Sequence, residues 1–122
     1  MAAFNYILLE AQCPHCGQQT IQKAQTHIAS DFDGDSRGRF VEQEYRLGER
    51  MRWFLPEADG FADWMTWGKS PDGRVREVCA SKCERCGAKV YAVIEFIDVT
   101  PVDVLEVGPV ANWAAAVARW ER

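Results

Sequence analysis

Two short stretches constrain this 122-residue chain more than any others: Cys13-Pro14-His15-Cys16-Gly17 and Cys83-Glu84-Arg85-Cys86-Gly87. Both read Cys-x-x-Cys-Gly. A two-residue spacer lets both sulfurs of one turn reach a single ion, and two such turns supply the four N or S ligands that zinc takes in a tetrahedral site. Glycine after the second Cys lets the turn tighten and brings backbone N–H groups toward the sulfurs, offsetting their charge. One such turn is weak evidence for a metal; two, each leading toward β-like sequence, are strong.

The pair "CPHCG" and "CERCG" resembles the knuckles of the zinc ribbon family, in which each knuckle closes a β-hairpin. The resemblance covers the knuckles and their flanking strands, about a third of the chain. It implies that Cys13, Cys16, Cys83 and Cys86 are the ligands of one structural Zn2+ in an antiparallel sheet. The departure is the separation, 66 residues between Cys16 and Cys83, so the metal would clamp the ends of a larger inserted β-structure. A competing reading takes Cys13 and Cys16 as a redox dithiol, because "CPHC" resembles the active-site tetrapeptide of DsbA-type disulfide oxidoreductases. That chemistry needs a thiolate activated at a helix N-terminus. Here Gly17 follows the pair, the next segment is not convincingly helical, and the second pair would go unexplained.

Five cysteines are an odd number, which argues for metal or thiol chemistry over a disulfide framework. Cys79 is surplus and reads as a buried strand cysteine. His15 is expected to point outward from its knuckle and His27 to be an exposed strand residue; four thiolates leave neither needed as a ligand. "DFDGDSRGRFVE" sets Asp31, Asp33, Asp35 and Glu42 at positions of a calcium-loop template, but Ser36 replaces its glycine and helical flanks are missing. An acidic hairpin turn fits better.

"FNYILLEAQ" (residues 4–12) reads as a strand, and "QQTIQKAQTHIAS" (18–30) as one arm of a hairpin that turns at "SDFDGDSRG" and returns along "RFVEQEYRL". "RVREVCASK" (74–82) and "KVYAVIEFI" (89–97) are strands, the second apolar on both faces and so central in its sheet. "DVTPVDVLEVGP" (98–109) continues as a strand interrupted at Pro101. Val110, Trp113, Val117 and Trp120 form a helical stripe. The expectation is one mainly β domain spanning 1–122, a zinc-ribbon-like antiparallel sheet with a long inserted β-hairpin region and a short C-terminal helix.

Residues 50–74 are the least regular part, with Asp59 able to cap a short helix. They hold Trp53, Phe61, Trp64 and Trp67 beside Arg50 and Arg52, and Trp and Arg are enriched where interfaces concentrate their energy. These six are the candidate partner-binding residues. A net charge of −4 and a pI near 5.2 give no global field toward nucleic acid or anionic lipid. Basic residues still cluster at Lys69, Arg74, Arg76, Lys82, Arg85 and Lys89, whereas 90–110 carries only acids, an edge suited to a basic partner. The start of the chain lacks a signal-peptide pattern and no stretch is long enough to span a bilayer, so the expected location is cytoplasmic.

Four thiolates close the open coordination position that a catalytic zinc keeps. The zinc-deaminase pattern, phosphate loops, G-x-S-x-G and H-E-x-x-H are absent. No enzymatic activity is expected. "EYRLGERMRW" (44–53) beside the knuckles resembles small stand-alone bacterial zinc-ribbon proteins, and small acidic proteins of that kind include immunity proteins that neutralise a cognate toxin. The leading expectation is thus a non-enzymatic zinc-stabilised protein-binding module, with a nucleic-acid-associated ribbon in transcription and a Cys13/Cys16 thiol oxidoreductase as alternatives. Salt and insulin separate the three: nucleic-acid binding weakens steeply between about 50 and 200 mM salt while an aromatic-centred protein interface does not, and only an oxidoreductase turns over insulin disulfides.

Overall fold

Alternation with a period of two builds the first strand. In β1 (Asn5–Gln12) Ile7 and Leu9 are fully or nearly buried, while Leu8 and Glu10 turn to the opposite face. The computed structural model describes residues 5–28, 43–51 and 73–121. β2 (Gln19–Thr26) folds back antiparallel on β1, from Gln12↔Gln19 to Asn5↔Thr26. β3 (Glu44–Arg46) lies on the other side of β1 and runs parallel to it. β4 (Arg74–Cys83), β5 (Lys89–Ile97) and β6 (Thr100–Pro109) follow as an antiparallel meander, giving one six-stranded mixed sheet in the order β3-β1-β2-β4-β5-β6.

The expected hairpin from residue 18 to 47 differs in its pairing. Its turn lies outside the described residues, and the returning strand pairs with β1, leaving β2 free to pair with β4. Asn5 fixes this arrangement: its buried side chain donates to the Ile28 carbonyl at 3.2 Å and accepts the Gln43 N–H at 2.9 Å. Beyond β3 the chain crosses the mouth of the sheet. There the Gly48 N–H donates to Pro101 O at 2.7 Å and the Met51 N–H to Val99 O at 2.8 Å, so the sheet curls upon itself. Ile7, Leu9, Ala24, Tyr45, Met51, Cys79, Ile94 and Phe96 fill the concave side.

β5 and β6 are joined by the two residues Asp98 and Val99, both with positive φ (47° and 69°). Positive φ at both central positions is the geometry of a type I′ hairpin turn, in which glycine or asparagine is usual. A β-branched residue there costs about 1–3 kcal/mol. Val99 tolerates it because its side chain is buried in the core and its carbonyl holds Met51. Sequence reasoning expects the interruption at Pro101; instead β6 runs through Pro101, which an edge strand accepts. Register shifts beside Ile94 and Phe96, together with Pro101 and Pro109, blunt this edge against further pairing.

The C-terminal helix α1 (Trp113–Trp120) covers the convex side of β4 and β5. Trp113, Val117 and Trp120 pack on Val78, Tyr91 and Val93, as the stripe predicts, but Ala116 is the residue at the centre of contact. Val110 is 48% exposed in the 3-10 turn ahead of the helix. Tyr91 meets Trp113 edge to face at 6.5 Å and donates its hydroxyl to Glu106 at 2.6 Å, while Arg119 grips the same carboxylate at 2.6 and 2.8 Å. Tyr91 first, then Arg119, holds the Glu106 carboxyl below its usual range.

Gly108 lies under the Tyr91 ring, where a Cβ would come within 2.5 Å of the hydroxyl oxygen. Gly108→Ala is expected to destabilise the fold by about 1–3 kcal/mol through overpacking, read as a lower denaturation midpoint. Tyr91→Ala in the same chain should remove most of the added penalty.

Candidate metal centre

Both Cys-x-x-Cys-Gly motifs close hairpins, the first between β1 and β2 and the second between β4 and β5. Their local bonding matches. The Cys13 N–H donates to Gln18 O and the Gly17 N–H to Cys13 O, at 2.9 and 2.8 Å; the Cys83 N–H donates to Ala88 O and the Gly87 N–H to Cys83 O, at 3.1 and 2.9 Å. Gly17 and Gly87 take φ of 71° and 74°, a left-handed conformation that glycine adopts without a Cβ clash. The two tips meet because β2 and β4 are neighbours: Gln22 pairs with Cys83, and the Glu84 N–H donates to Ile21 O at 3.1 Å. The four cysteines therefore gather at the shared end of two adjacent hairpins, and the 66-residue separation is bridged by one lateral strand pairing.

The Sγ atoms of Cys13, Cys16, Cys83 and Cys86 lie within 4.8 Å of one another. Across the knuckles, Cys13 and Cys86 are 3.7 Å apart and Cys16 and Cys83 4.0 Å apart. Four sulfurs each about 2.3 Å from a tetrahedral zinc stand about 3.8 Å apart, so the spacing suits a metal and no disulfide forms. The four cysteines are positioned to bind a metal ion. Cys13 and Cys83 are buried, Cys16 is half-buried and Cys86 is exposed.

Hydrogen-bond donors converge on the sulfurs. Cys13 Sγ accepts the N–H groups of His15 and Cys16, each at 3.4 Å, and Cys83 Sγ accepts that of Cys86 at 3.5 Å. Thr20 Oγ1 lies 3.2 Å from Cys83 Sγ. That hydroxyl, followed by the Cys86 N–H, lowers the Cys83 thiol to about 6. Cys86 moves the other way, to about 11: the Ala88 N–H pulls it down, but desolvation and the neighbouring sulfurs of Cys83, Cys13 and Cys16 outweigh that. Cys86 keeps its proton because a second thiolate beside Cys83 would be repelled by the first.

Cys79 is buried in β4, as expected, with its thiol 3.4 Å from Glu77 Oε1 and away from the four. His15 is exposed in its knuckle. His27 is 56% exposed at its side chain, yet its Nδ1 lies 3.0 Å from a Glu77 carboxylate that is itself buried. Thr26 and the His27 N–H also donate to Glu77, at 2.6 and 3.0 Å. Neither this network nor Thr20 is visible in a motif, because both depend on β2 lying beside β4.

Of the candidate partner-binding residues, Arg50 is described and exposed. Arg52, Trp53, Phe61, Trp64 and Trp67 lie outside the described residues, as do the short helix around Asp59 and the acidic turn Asp31, Asp33, Asp35 and Glu42. The basic cluster near the second knuckle is divided: Arg74 and Arg76 sit at the far end of β4, 3.9 and 3.0 Å from Glu95. The acidic stretch 90–110 is also largely engaged, with Glu95 and Glu106 in ion pairs and Asp98 and Asp103 each accepting a backbone N–H. Comparison with protein-family models, curated proteins and solved structures finds no match to this chain.

A metal must displace protons from thiols, and Cys86 holds its proton up to about 11. Metal affinity is therefore expected to rise with pH across the neutral range, by about tenfold or more per unit between about 6 and 8. Competition titrations against a chelator at several pH values measure this directly.

Proposed function

We propose that Cys13, Cys16, Cys83 and Cys86 hold one structural Zn2+, and that the protein is a zinc-stabilised, non-enzymatic module that binds a protein partner. The cross-knuckle sulfur spacing of 3.7 and 4.0 Å carries the metal part of this reading. Thiolate ligands in tetrahedral array favour zinc among the common divalent ions, and four of them leave no coordination position for substrate. Bound here, the ion contributes folding free energy on the order of 10 kcal/mol gross.

The protein-binding part is supported by how Met51 and Gly73, which flank the aromatic-rich sequence 52–72, are held. Met51 on one side is held by Val99 O at 2.8 Å. On the other side the Gly73 N–H donates to Asp98 Oδ1 at 3.2 Å, and the Asp98 N–H donates to Gly73 O at 3.0 Å. Both stems of the segment bearing Trp53, Phe61, Trp64 and Trp67 thus attach to one two-residue turn, which reduces the ordering cost of any interface it forms. A cognate toxin, with the protein as its immunity factor, is the finer form of this proposal. A nucleic-acid role has less support, since Arg74 and Arg76 pair with Glu95 and, among the described residues of the basic cluster, Lys82, Arg85 and Lys89 remain near the second knuckle.

Purified protein is expected to carry one equivalent of zinc by elemental analysis, and Cys13→Ser to lose it and melt well below wild type. A zinc-free protein whose melt is unchanged by Cys13→Ser overturns the reading.

A further inference from the structure

Thr20 lies outside both Cys-x-x-Cys-Gly motifs, yet its hydroxyl lies 3.2 Å from Cys83 Sγ, nearer than the His15, Cys16 and Cys86 N–H groups lie to the sulfurs they meet, 3.4 to 3.5 Å. We infer that Thr20 is a positioning residue of the metal site, whose O–H donates to the Cys83 thiolate and holds it in the ligand geometry. The inference rests on the zinc reading above.

Three features support the assignment. A metal-bound thiolate has no proton to give, so in the loaded site the hydrogen bond can run only from the Thr20 hydroxyl to sulfur. The contact also crosses between hairpins. Thr20 belongs to β2, where it pairs with Ala11, and Cys83 ends β4. It therefore aligns the second knuckle on the first before any ion arrives, beside the Glu84–Ile21 backbone bond at 3.1 Å. Finally, Cys83 is buried, and the Cys86 N–H meets its sulfur at 3.5 Å, slightly farther than the 3.4 Å at which the His15 and Cys16 N–H groups meet Cys13 Sγ. The hydroxyl adds a side-chain donor at the shorter distance of 3.2 Å. Donation to a ligating sulfur withdraws charge from it, makes it a poorer site for protons and electrophiles, and so slows loss of the metal.

The test compares Thr20→Val, which keeps the shape and removes the donor, with Thr20→Ser, which keeps the donor. Zinc release into an excess of chromogenic chelator is expected to be about ten- to a hundredfold faster for Thr20→Val, with Thr20→Ser close to wild type. In the cobalt-substituted proteins the sulfur-to-cobalt charge-transfer band should shift to lower energy in Thr20→Val and stay in place in Thr20→Ser, a change that altered packing alone does not produce. Thr20→Ala supplies a second donor-free variant should the valine chain fold poorly. Wild-type release kinetics and an unshifted band in the donor-free variants overturn the role of Thr20 and leave the zinc site standing. A wild-type protein that takes up neither zinc nor cobalt overturns both.

Discussion

Among the described residues of the sheet, the three strands β3, β1 and β2 are joined to β4, β5, β6 and the helix by one ladder of four residue pairs, from Gln22↔Cys83 to Gln25↔Ala80. That seam is short, and its buried face is unusually polar. Gln22 and Ser81 are buried along it and Thr26 and Glu77 just beyond its end, and the Gln22 Nε2 has no hydrogen-bond partner among the described residues. Apolar cohesion between the halves is therefore supplied less by the seam itself than by the core on the concave side, where Ile7, Leu9 and Ala24 cluster with Cys79, Ile94 and Phe96. The cysteine cluster sits at one end of this seam and ties the hairpin tips on either side of it.

At the other end the strands part after Gln25 and carboxylates occupy the gap. Glu77 accepts from Thr26, which ends β2, and from His27 after it, and Glu121, from the end of the helix, accepts the Val78 N–H at 2.7 Å. Backbone groups that lose a strand partner are thus satisfied by side chains, as burial requires. The same use of acids recurs at Glu106 between sheet and helix. An acidic composition that suggests a charged surface is here partly an inventory of internal acceptors, which leaves less of it for a basic partner.

The curl of the sheet depends on a second device, the Asp98–Val99 turn. Its backbone conformation is unfavourable for a β-branched residue, and it persists because three parts of the chain bind to it: Met51, Gly73 and the core around Val99. One strained turn therefore closes the sheet and holds both Met51 and Gly73. Stability and the proposed presentation of the segment 52–72 are coupled through the same two residues.

Much of this was legible in the residues. Cys-x-x-Cys-Gly fixes a knuckle through bonds within five residues; the period-two runs fix β1, β4 and β5; and the helical stripe locates α1. These are local properties, set by backbone sterics and side-chain alternation, and they hold whatever the rest of the chain does. The sequence by itself thus determined the ligand candidates, the mainly β class and the C-terminal helix. Tertiary structure alone decided that β3 runs parallel beside β1, that β2 consequently lies against β4, and that Thr20 and Glu77 reach Cys83 and His27. Strand order is set by which edges remain unpaired once Asn5 and the Gly48 and Met51 bonds are in place, a competition among distant segments that no local pattern records.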